Sequence, residues 1–449
     1  MAGQSIPIQA GQKSWLDRSL SLFSDVRAGE GVTVVLMMTN IFMLLFCYSV
    51  IKTVREPLIL LGGGAEVRSY SAAGQALLLM AFVPFYSWFA SRVDRMKLIV
   101  GITLFFVICI ELFASAVAAG TPYVGVLFFI WVGIFSVSLI AQFWSYANDI
   151  YTKEAGDRLF PIITIGMTAG APLGPLLAGQ LFGQGIEPQL ILQVSAAVLL
   201  ASLLPYMLVN ARETRRTAPR GTPLAAGGGF GLVLRSGYLR LIALLIILLN
   251  IVNTTGEYLV SRLVITQADA MRVADPTFDP EAFIGAFYGS YQFWVNVTAF
   301  LLQAFVTSRL VKHRGLRGAL LALPLIALSG YAIIAAGAGL AVVRWVKTVE
   351  NATDYSIMNT ARQLLWLPTR REEKYKAKQA VDTFFMRGGD MLSAAVVFIG
   401  TGALQLGVRG FATVNVALAL VWIGLAVMIL RRHRLLVQPA AREIREKTA

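Results

Sequence analysis

From residue 32 onward, apolar residues gather into runs separated by short polar joints, each run about the 20 residues that a helix needs to cross a bilayer core. Twelve such runs can be marked, at 32–62, 69–91, 98–119, 123–148, 159–183, 189–209, 238–265, 282–307, 317–337, 339–365, 380–405 and 409–431. Each predicts a membrane-spanning helix, so the expected fold is an all-α polytopic membrane protein. Of its 449 residues, 57% are hydrophobic and 14% charged, far from the balance of a soluble domain.

The formal charge of +14 has a topological explanation. Lys and Arg crowd the joints at 92–97, 153–158, 212–235, 309–317 and 370–378 and the final tail, while the alternate joints hold few. With positive residues inside, both termini are expected to be cytoplasmic, in a multi-pass membrane protein. The basic balance then serves anionic lipid headgroups and gives no reason to expect nucleic acid. Cys47 and Cys109 fall within spans and His313 and His433 within basic joints, so no metal site or disulfide is expected. Leu16, Leu20 and Phe23 beside Trp15 have the spacing of a short interfacial helix, with a solvated tail as the alternative.

A polar stretch rich in Pro and Gly after Asn210 divides the runs six and six. The expected organisation is an N-terminal segment (1–30), a six-helix half (31–210), a linker (211–237), a second half (238–431) and a tail (432–449). Two echoes suggest duplication. Aligning "KTVREPL" (52–58) with "NTTGEYL" (253–259) superimposes Glu56 on Glu257, and the basic joints "SRVDRMK" (91–97) and "SRLVKHR" (308–314) begin alike. Two related halves of this kind are the major-facilitator architecture.

Charges inside spans are costly, on the order of 3 kcal/mol or more, and usually face a bundle interior or a wet cavity. Lys52, Arg55 and Glu56 lie within one turn of the first run, next to Pro57. Snorkelling to the outer interface is the competing reading. The tenth run carries Lys347, Asn351, Asp354 and Met358 along one stripe with Glu350 beside it, either a polar pathway or a structural ion-pair ladder. Gln142, Trp144, Tyr288, Tyr291, Gln292 and Asn296 could add hydrogen bonds and stacking surfaces. Gly166, Gly170 and Gly174, four apart, predict a close helix-packing face. No glycine-rich stretch has the Lys-Ser or Lys-Thr of a phosphate-cradling loop, so neither enzymatic ATP hydrolysis nor a cofactor is expected.

Two passages resemble the nucleotide transporters of plastids and obligate intracellular bacteria, the ATP/ADP antiporters of major-facilitator fold. In "FWSYANDIYTKEAGDRLFPIITIG" (143–166), the family's motif falls on Phe143, Trp144, Ala147, Asn148, Glu154, Ala155, Arg158, Pro161 and Gly166. In "YSIMNTARQLLWLPTRREEKYKAKQAVD" (355–382), it falls on Tyr355, Ser356, Arg362, Leu367, Pro368, Lys376, Lys378 and Asp382. The chain departs from the family where Trp131 or Val132 replaces an acidic residue of the fourth span, and Met358-Asn359-Thr360 replaces Phe-Asp-Pro.

The resemblance implies a secondary transporter, not an enzyme, that moves a small anionic solute, with nucleotides among the candidates, by alternating access. Taken together with the polar groups inside the spans, which single out Lys52, Asn351 and Asp354, it points to Lys52, Arg55, Asn148, Asn351, Asp354 and Arg362 as substrate contacts. Glu56 and Glu257 are expected in coupling or charge compensation, and Lys376, Lys378 and Asp382 in gating. A monomer in the lipid bilayer is expected. The alternatives are a proton- or sodium-coupled symporter of another solute and a non-transporting membrane scaffold.

Overall fold

The computed structural model describes residues 13–448 apart from Phe23, Ser91, 214–227 and Arg371. Nine helical stretches among the described residues are long and apolar enough to cross a membrane. Two of these are double. Gly31–Ala90 is broken at Gly64, whose φ of 78° only glycine adopts readily, which yields α1 (31–63) and α2 (65–90). The stretch 280–335 is broken in the same way at Gly315 (φ 59°) into α8 (280–314) and α9 (316–335).

The remaining crossings are α3 (Arg95–Ala118), α4 (Val124–Ile150), α5 (Lys153–Gly183), α6 (188–213), α7 (Gly237–Ala274), α11 (373–402) and α12 (Val408–Thr448). Between α9 and α11 runs α10 (340–365), whose charged and amide residues keep it out of the nine. All twelve expected spans are therefore helical.

Local chemistry sets the helix starts. Asp94 caps α3, accepting from the Lys97 amide at 3.3 Å, Thr152 caps α5 through the Ala155 amide, and Asp279 precedes Pro280 at the first turn of α8. Near the N-terminus, Ser14 and Asp17 form a reciprocal capping box on a short helix, Trp15–Leu20. Trp15 is exposed there; Phe23, expected on the same face, lies outside the described residues.

Several boundaries differ from expectation. Residues 63–68 form no loop, because the break at Gly64 lets α2 begin at once and puts Glu66 and Arg68 in its first turns. Residues 308–314, expected as a joint, continue α8, and the tail continues α12. Most of the expected 211–237 linker lies outside the described residues, but Gly229–Arg235 is a helix packed against the backbone of Lys376. Five-residue π-helical turns interrupt α10 at Asp354–Met358 and α11 at Val381–Phe385.

Buried apolar side chains fall into two clusters. One draws on residues 26–209. The other draws mainly on 233–430 but also takes Ile59, Leu60, Ala65 and Phe129, from around the Gly64 break and from α4. The predicted glycine face is real: a Cβ on Gly166, Gly170 or Gly174 would strike the carbonyl oxygen of Met38, Phe42 or Phe46, so α5 lies backbone to backbone on α1. A second close approach joins α5 to α8, where a Cβ on Gly179 would meet the Gly289 Cα at 3.0 Å. Beside it, Phe182 occupies the space a side chain at Gly285 would need.

Candidate functional site

Charged residues from α1, α2 and α7 converge on one cavity of about 200 Å³, completed by α8 and α10. Its charged lining is Lys52, Arg55, Glu56, Arg68 and Glu257. Asn253, Asn351 and Tyr355 contribute polar surface, as do Tyr288, Tyr291, Gln292 and Asn296 of α8. Pro57 lies within α1 beside these charges, and its missing amide leaves the Thr53 carbonyl without its i+4 partner.

Glu56 is the centre of the N-terminal wall. Arg55 grips its Oε1 through Nε at 3.1 Å and through a second guanidinium nitrogen, while Arg68 Nε donates to Oε2 at 2.6 Å. The Arg55 guanidinium also lies over the Phe129 ring, 4.1 Å from its centroid. Arg55 is therefore buried and held from both sides, which overturns the reading of an arginine snorkelling to the interface. Two guanidinium groups on one carboxylate, with Phe129 beneath, form a compact charge-assisted cluster.

On the opposite wall, Glu257 Oε1 accepts from Tyr291 Oη at 2.9 Å and Asn351 Nδ2 at 2.8 Å. Asn351 Nδ2 also reaches Tyr291 Oη at 2.8 Å, closing a three-membered network. Two cations face Glu257 at longer range, Arg68 at 3.8 Å and Lys347 at 4.0 Å. Each is already engaged at shorter range, Arg68 by Glu56 and Lys347 by Glu350 at 3.0 Å and Asn253 Oδ1 at 3.1 Å. The Glu257 side chain keeps 19% of its surface open, against 2% for Glu56, so it is the cavity's accessible carboxylate.

The cavity thus brings together Lys52, Arg55, Glu56, Glu257 and Asn351. Asn148, Asp354 and Arg362 do not line it. Asn148 is exposed at the end of α4, beside the Asp149–Arg95 pair, and Asp354 faces Arg362 at 3.9 Å. Lys376 pairs with Glu372 at 3.0 Å, Lys378 reaches Gln363 at 2.6 Å, and Asp382 is exposed, all at the start of α11. Lys347 and Glu350 form a buried pair behind the wall, the ladder that was one of two readings of α10.

Arg68 is the residue that sequence reasoning missed, along with Glu66, which accepts from Tyr258 Oη at 2.9 Å and pairs with Arg262 across to α7. A signal existed: two charges directly after three glycines, with an apolar run resuming beyond.

Among the described residues, twelve long helices, eleven of them within the apolar stretches, surround a charged cavity and define a multi-pass membrane protein of major-facilitator fold. Solved structures share that fold. The nucleoside transporter NupG superposes with a TM-score of 0.62 at 12% identity, covering 90% of this chain and 99% of that one. A POT family transporter gives 0.61 at 13% identity, covering 90% and 96%, and a bacterial homologue of the iron transporter ferroportin 0.60 at 15%, covering 89% and 98%.

In sequence the chain is similar to ADP,ATP carrier proteins. It is 22% identical over 364 residues to ADP,ATP carrier protein 1 of Chlamydia muridarum, covering 70% of this chain and 66% of that protein. The corresponding protein of Chlamydia trachomatis is 23% identical over 338 residues, covering 64% and 61%. The chain spans less than two thirds of the length of the curated relatives it matches. No family model matches it.

Proposed function

We propose that the protein is a secondary transporter that carries an anionic metabolite across a bacterial inner membrane by alternating access, with 31–210 and 238–431 as its two moving halves. The observation that carries this reading is the central cavity, in which Lys52, Arg55 and Arg68 from one half face Glu257 and Asn351 from the other. A charged cavity between two helix bundles is where such carriers bind solute.

In this reading Lys52 contacts the anion and the Arg55–Glu56–Arg68 cluster sets the local field. Glu257 provides charge compensation. Asn148, Asp354 and Arg362 belong to the path outside the cavity, and Lys376, Lys378 and Asp382 to a gate at the cytoplasmic end. The names of the relatives make ADP and ATP the first solutes to assay. Purified protein in liposomes preloaded with an anion should take up labelled anion only when countersubstrate is inside. Absence of counterflow for every anion tried, nucleotides and smaller metabolites alike, would sink the proposal.

Glu257, as the accessible carboxylate, favours a second reading, proton-coupled symport. An imposed pH gradient would then drive uptake into empty liposomes.

A further inference from the structure

Taking the cavity to be the substrate site just proposed, we infer that its substrate is a compact organic monoanion, such as a hydroxymonocarboxylate, and not a nucleoside di- or triphosphate. Three cations and two carboxylates line the space, leaving a surplus of one positive charge. Most charges around it pair off, Lys347 with Glu350, Arg362 with Asp354, Arg262 with Glu66, and Arg387 with Asp390, while Arg344 is turned to the Ser290 hydroxyl and lines no part of the cavity. Arg55 and Arg68 are spent on Glu56. Lys52 lines the cavity with no ion pair to any described residue.

Lys52 is half-buried at the cavity wall, where solvation is poorer than in bulk water, so a ligand carrying one negative charge balances the surplus of this site. One carrying three or four leaves most of its charge unopposed.

Size agrees with charge. The cavity of about 200 Å³ falls below the roughly 300–1,000 Å³ of pockets for drug-sized ligands. The unengaged chemistry is also modest. Gln292 and Tyr355 line the cavity without side-chain hydrogen bonds to the described residues, and Asn351 Oδ1 has no partner there, so a cation, amide groups and a phenol remain to recognise a ligand. That set suits a carboxylate bearing a hydroxyl or two.

The test is ligand binding to purified full-length protein, read by calorimetry with hydroxymonocarboxylates, dicarboxylates, phosphate monoesters, ADP and ATP. The wild type should bind a monocarboxylate at least tenfold more tightly than any dianion or nucleotide. Lys52→Gln should lose at least tenfold in that affinity, and Lys52→Arg should recover most of it. Glu257→Gln raises the surplus to two positive charges and should move the preference toward dianions. Tight binding of ADP or ATP by the wild type would overturn the monoanion inference while leaving an anion carrier in place. So would an unchanged charge preference in Glu257→Gln. If no anion of any class binds, the transport proposal falls with it.

Discussion

Arg68 Nε lies 2.6 Å from the carboxylate of Glu56, twelve residues earlier in the chain and on the other side of the Gly64 break. The same guanidinium faces Glu257 at 3.8 Å, so one arginine stands between the two glutamates that the internal repeat superimposes. Breaking this cluster is not symmetric in its consequences. Glu56→Gln leaves Arg55 without its anion and Arg68 with only Glu257 at 3.8 Å, whereas Arg68→Gln leaves Glu56 still held by Arg55. Removing one partner of a buried pair costs about 3–5 kcal/mol. Glu56→Gln should therefore lower the melting temperature of the purified protein more than Arg68→Gln does, and the reverse order would contradict this account of the cluster.

Arg55 stacks on Phe129 while gripping Glu56, a geometry that needs a planar guanidinium. Arg55→Lys should be destabilising despite keeping the charge. A double-mutant cycle with Phe129→Leu should give a coupling on the order of 0.5–2 kcal/mol. Additive losses would mean that the ring serves only as packing.

Glu66 ties α2 to Tyr258 and Arg262 of α7, and alternating access requires such contacts to part. Both charged side chains are about a third or more exposed, at 33% and 42%, so the pair is worth roughly 0.2–1 kcal/mol. Glu66→Gln should shift the conformational balance up to about fivefold. A single cysteine placed at Tyr291 should then react faster with a membrane-impermeant reagent added from the Gly64 end of α1. Unaltered labelling would remove the pair from the gate.

At the N-terminus, Asp17 is a test of acid response outside the spans. Burial opposes its ionisation, but backbone donors at Ser14, Gly29 and Gly31 and the Ser14 hydroxyl outweigh that and hold its pKa down to about 2. A depressed carboxylate stabilises the fold fully above its usual pKa of 3.8 and loses that contribution as pH falls toward about 2. Proteolysis of the segment before α1 should accelerate across that window in the wild type. In Asp17→Asn it should be faster already at neutral pH and flatter with acid.

The apolar runs announced the helices because a bilayer leaves the backbone no other partner than itself, and twenty apolar residues admit little else. The charges of α1 and α7 were legible for the same reason: Lys52, Arg55, Glu56 and Glu257 interrupt runs where charge is expensive. Arg68 was hidden by an assumption about joints. Charges between two apolar runs ordinarily sit in a solvated loop, but a glycine at positive φ needs no loop, and the first turns of α2 carry Glu66 and Arg68 into the bundle. Asn148 shows the other limit, since a motif position carries no information about depth, and it lies at the exposed end of α4, outside the cavity.

At the crossing of α5 and α8, Gly179 and Gly289 meet backbone to backbone, with the Phe182 ring seated over Gly285 beside them. Interlocked side chains act as ratchet teeth: a change of crossing angle must lift each from its groove and seat it in another. Two bare backbones have no teeth. The crossing can therefore serve as a fulcrum, letting one bundle tilt on the other without changing any rotamer at the point of contact. Arg68, Glu66 and the rest of the polar cross-links act as latches at a distance from it.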